Sequence, residues 1–123
     1  MAAYVRFIVH QRIGSESRQV GLFTAAYHLL EEGELLGHDR ERLQELLAWF
    51  RAELTVPPEG LIPDRAIFWY RDVGPFSGRM WDLAQLLSDH GFTTELITAK
   101  FIGRIVYQDE HQFAALPPAR RHR

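Results

Sequence analysis

Cysteine is absent from this 123-residue chain, which excludes disulfides, thiolate metal sites, iron–sulfur clusters and a cysteine nucleophile together. Long apolar runs are missing too: no stretch reaches the roughly 18 residues a membrane-spanning helix needs. The opening Met1–His10 segment has Arg6 inside its apolar run and so lacks the unbroken core of a secretory leader. Charge of one sign is scarce. Fourteen Lys and Arg face sixteen Asp and Glu, a net of −2, so no whole-molecule field calls for nucleic acid or an anionic membrane. These absences predict a cytoplasmic protein with no membrane partner.

What is present is a 46% hydrophobic, 12% aromatic sequence. One core is the expectation at this length. Residues 1–118 read as a single domain, and 119–123 as a short basic tail.

Val5, Phe7 and Val9 alternate with Tyr4, Arg6 and Ile8, which predicts a first strand. The polar, glycine-containing segment 11–18 reads as a loop, and a helical pattern starts at Gln19 with Val20, Phe23, Tyr27 and Leu30 on one stripe. Gly33 and Gly37 break it. Asp39 is placed to cap a second helix, whose stripe is Leu43, Leu46, Leu47, Phe50 and Leu54. Prolines 57, 58 and 63 stop that helix. The apolar run 66–70 reads as a central strand buried on both faces. Ser77 is expected to cap a third helix carrying Met80, Leu83, Ala84 and Leu87, and Gly91 to end it. Strands are expected at 93–98, 101–107 and 111–116. The order β-α-α-β-α-β-β-β predicts an α/β sandwich with a mixed, mostly parallel sheet and a C-terminal β-hairpin.

In that fold the first and second strands run parallel, and the loops at their carboxyl ends share a cleft. Arg12, Ser15 and Arg18 come from one loop, and Arg71, Ser77 and Arg79 from the other. Hydroxyls, arginines and helix-start amides together suit a small anionic ligand. Glycine, serine and proline are also what any strand-to-helix turn contains, and neither phosphate-loop pattern occurs.

The six histidines show no paired metal-ligand spacing, so neither a metal nor another cofactor is expected. Asp72, Asp109, Glu110 and His111 nevertheless define an alternative, a metal-dependent phosphodiester hydrolase. Asp64, Glu95 and Lys100 fit such a site poorly, because residues five apart on a strand face opposite ways. A third reading is a pocketless accessory subunit acting through Trp49 and the sheet edge, or a homodimer formed by strand addition at 101–107.

The ending Val106-Tyr107-Gln108-Asp109-Glu110-His111-Gln112, with Phe113-Ala114-Ala115-Leu116-Pro117 after it, resembles that of a group of small uncharacterised bacterial proteins. Leu47-Ala48-Trp49-Phe50 and Ala66-Ile67-Phe68-Trp69 add to the likeness. The resemblance implies a bacterial protein and carries over no ligand or catalytic residue. The leading expectation is a non-enzymatic binding module.

Overall fold

The alternation at the start of the chain does form a strand, and it continues through the segment expected to be a loop. β1 spans Tyr4–Ile13 and returns at once as β2 (Glu16–Gly21), with Ile13 opposite Glu16 and Ile8 opposite Gly21. Only two residues separate the pair, the spacing of a tight hairpin. The polar composition of 11–18 conceals this. The computed structural model describes residues 4–13, 16–33, 35–72 and 74–118.

The remaining elements are α1 (Leu22–Glu32), α2 (Gly37–Glu53), β3 (Ile67–Arg71), α3 (Gly74–Asp89), β4 (Thr93–Ala99), β5 (Arg104–Gln108) and β6 (Gln112–Leu116). They form one six-stranded sheet in the order β2-β1-β3-β6-β5, with β4 also on β1. Every pairing is antiparallel. The fold is therefore α+β, and the expected mostly parallel α/β sheet is incorrect. Each chain reversal inverts the sense of the strands that follow, and the first hairpin is a reversal that the sequence reading lacks. The C-terminal hairpin of β5 and β6 is present as expected.

All three helices cover one sheet face. Phe7 and Val9 of β1 meet Leu22 and Ala26 of α1, Leu43, Leu47 and Phe50 of α2, and Met80, Leu83 and Leu87 of α3. Each large aliphatic side chain buried here contributes roughly 1.5–3 kcal/mol. The opposite face holds a smaller cluster of Trp69, Ile102, Phe113 and Ala115, with Tyr4, Ile67 and Ile97 against it. Ile102 reaches that cluster because the β4–β5 connection passes close to β6. At Gly103, with φ +98°, an added Cβ would stand 2.0 Å from the Leu116 carbonyl oxygen, so only glycine fits.

Helix ends depart slightly from expectation. α2 begins at Gly37, with Asp39 in its first turn and no side-chain cap. α3 begins before Ser77. Gly91 does end α3, adopting φ +91° while the Phe92 amide bonds back to Leu87. Among the described residues no helix is long and apolar enough to cross a membrane.

Candidate functional site

β4 occupies one edge of β1 from Tyr4 to His10. The other edge is divided: β3 pairs with Tyr4 and Val5, and β2 with Ile8 onward. Arg6 and Phe7 lie between, with no partner strand on that side among the described residues. Successive residues of a strand alternate the edge to which they turn their N–H and C=O. One of these two therefore presents both groups to the gap. Ile67–Trp69 of β3 face it from the far side, paired only with β6.

The sheet forks here because β2 runs directly into α1. Leu22, Phe23 and Thr24, the first turn of that helix, border the gap alongside Ile67 and Phe68. The N-cap is Gly21, without a side-chain hydrogen bond, and no acidic residue sits in the first turn. The leading amides of α1 thus lack an intrahelical partner and carry the positive end of its dipole.

The fork is a hollow of about 340 Å³. A second hollow of about 330 Å³ lies on the helix side, between Tyr27 of α1, Phe50 and Leu54 at the end of α2, and β3. Phe23, Phe68 and Tyr70 line both, so the two adjoin as one groove. Its walls are aromatic and aliphatic. The charged residues among its described lining are both cations, Arg6 at the fork and Arg51 at the helix side.

Burial lowers the pKa of the Arg6 guanidinium, which also lies 5.5 Å from the Trp69 ring centroid. Burial pushes the Tyr70 phenol up to about 12, with the Arg6 charge opposing and the Asp109 charge adding to that rise. Tyr70 is stacked on Phe76 at 5.8 Å and meets Phe23 edge-on at 6.1 Å. Its hydroxyl makes no hydrogen bond to a described residue.

The groove's rim is tied to the β5–β6 turn. Gln112, the one buried polar side chain among the described residues, donates from Nε2 to the Thr55 carbonyl at 2.8 Å and to Asp109 Oδ2 at 2.9 Å. Asp109 also accepts from the Tyr107 hydroxyl and from the amides of His111 and Gln112. Burial raises the Asp109 pKa, but hydrogen bonds from Gln112, Tyr107 and the two amides outweigh it and hold the carboxyl below its usual range. The same Asp109 bond is the main cause of a raised Tyr107 pKa.

The two loops expected to share a cleft do not meet. Tyr4 stands opposite Arg71, and β1 then runs on to Ile13, about 30 Å farther at roughly 3.4 Å per residue. Arg12 pairs with Ser17 in the hairpin, while Ser15 and the Arg12 side chain lie outside the described residues. Arg18 is exposed on β2. At the other end Arg71 donates from Nε to the Glu110 carbonyl at 2.9 Å and covers the Phe113 ring at 4.5 Å. Ser77 donates to Asp72 Oδ1 at 2.6 Å, and Arg79 lies 5.3 Å from the Trp49 ring centroid. Arg71, Ser77 and Arg79 thus join neighbouring parts of the fold. Trp49 packs at the edge of the main core.

The residues proposed for metal-assisted hydrolysis are similarly engaged. His111 stacks on Phe76 at 4.6 Å and faces Glu53 and Glu110 at 3.8 and 3.5 Å. Among the described residues no three His, Asp or Glu side chains converge as metal ligands. The outer edge of β5 carries no partner strand among them, with Phe101 and Ile105 exposed beside it.

Arg6, Phe23, Phe68 and Tyr70 were read from the sequence as strand or core residues and not as site residues. Arg6 was visible as a charge inside an otherwise apolar strand, but its significance depends on the fork. Comparison with family models, curated proteins and solved structures gave no match for this chain.

Proposed function

We propose that the chain is a non-enzymatic binding module that takes a small, largely apolar ligand into the groove between α1, the end of α2 and β3. The observation that supports this most directly is the 330 Å³ hollow walled by Tyr27, Phe50, Leu54 and Phe68. Interiors are otherwise close-packed, and a concave apolar site of this size with few polar groups is what small ligands occupy. The described lining contains no carboxylate and no histidine. General acid–base chemistry there is left to tyrosines, and Tyr70 has its pKa raised, which favours binding over catalysis. This reading retains a binding module but moves its site away from the Arg12–Arg18 and Arg71–Arg79 loops.

A neutral apolar fluorophore such as N-phenyl-1-naphthylamine tests it. The expected result is saturable fluorescence enhancement, weakened at least tenfold by Leu54→Trp, which fills the hollow while the fold persists by circular dichroism. Equal binding by parent and folded variant overturns the reading.

A further inference from the structure

The groove has two chemically different ends. The helix-side end is apolar, whereas the fork gathers polar groups left without partners. The leading amides of α1 are uncapped. The backbone N–H of Phe7 has no strand partner on that side among the described residues. The half-buried Tyr70 side chain lines the same space, and its hydroxyl makes no hydrogen bond to a described residue. Arg6 lines the fork and is close enough to Tyr70 for its charge to act on the phenol.

Each of these donors is open to the groove and free to bond a ligand. Several such donors converging beside a cation call for an anion. Asp109 is the acidic side chain whose field reaches Tyr70, yet its two carboxylate oxygens are already engaged by Tyr107, Gln112 and the His111 amide. It does not line the groove.

We infer that the fork receives the anionic head of an amphipathic ligand whose apolar body lies in the adjoining hollow. The head hydrogen-bonds to the α1 amides and the Tyr70 hydroxyl and pairs with Arg6. Because the phenol keeps its proton to about pH 12, it serves as a donor across the physiological range. A medium-chain carboxylate and its phosphate-ester counterpart share the required chemistry. This inference rests on the groove being the binding site and adds the class of ligand.

Calorimetric titration with decanoate, decyl phosphate and 1-decanol separates the two claims. At least one anion is expected to bind tenfold or more tightly than decanol, about 1.4 kcal/mol, and the tighter anion identifies the head group. Arg6→Met is expected to bring the anions to the decanol level without altering decanol binding. Tyr70→Phe, which removes no hydrogen bond present in the free protein, should weaken only the anions, by about threefold to tenfold, and so serves if Arg6→Met fails to fold. If decanol binds as tightly as both anions, the head-group inference is wrong and the apolar groove stands. If none of the three binds, both are wrong.

Discussion

Along its β4 edge, β1 is paired without interruption from Tyr4 to His10, while along the other edge pairing stops at Val5 and resumes at Ile8 with a different strand. On the continuous side, ladder hydrogen bonds satisfy the backbone and α3 covers the sheet with Met80, Leu83 and Leu87, all 1% exposed or less. On the divided side, α1 begins where a strand would otherwise continue. The cost is an incomplete sheet, and the consequence is a groove. Stability and binding thus lie on opposite edges of one strand, because a close-packed edge leaves no room for a ligand and an open one gives up packing.

The largest effect expected from this contrast is on stability at the closed side. Leu83→Ala should cost about 2–5 kcal/mol, as for other buried leucines. Leu54→Ala, at the already hollow groove wall, should cost less than about 1 kcal/mol. Urea denaturation of the two variants measures the difference, and equal losses would erase the distinction between the edges.

The next effect sharpens the role of the rim. Asp109→Asn is expected to cost about 1–2 kcal/mol, since several hydrogen bonds lose their charged acceptor. The pH dependence has a definite sign. Asp109 has a lowered pKa when folded, so its stabilisation is complete above the unfolded value of about 3.9 and declines as pH falls through the folded value. Urea midpoints between pH 5 and 2 should therefore fall more steeply in the parent than in Asp109→Asn.

Hydrogen exchange gives a smaller but more local contrast. The fork-facing amide of Phe7 should exchange faster than that of Arg6, which faces β4. Equal protection would mean that the fork is closed in solution. Smallest of all, Tyr70→Phe should change stability by no more than about 0.5 kcal/mol, because the hydroxyl has no partner to lose. A larger loss, measured by thermal unfolding, would mean that this hydroxyl is part of the scaffold.

The helices were legible because a repeat of three and four residues is a local signal. Leu43, Leu46, Leu47 and Phe50 are all buried as their spacing required. The strand at 67–71 was legible as a short apolar run bounded by turn residues. Strand direction was not, because it depends on counting every reversal, and the polar hairpin of β1 and β2 resembled a loop. That single omission made the sheet parallel and brought Arg18 and Arg79 together on paper.

The groove was illegible for a different reason. Phe23 and Phe68 read as ordinary core residues, since nothing local shows that β3 diverges from β1. The turn motif containing Tyr107, Asp109 and Gln112 was noticed, but its function is structural: it secures the chain at Thr55.

The most direct test of the central claim is to follow backbone amide resonances while decanoate is added. A ligand seated at the fork should shift Phe7, Phe23, Thr24, Phe68 and Tyr70 together and leave Arg18 and Arg79 unmoved. Shifts confined to the surfaces around Arg18 or Arg79, with the fork resonances unchanged at saturation, would contradict it.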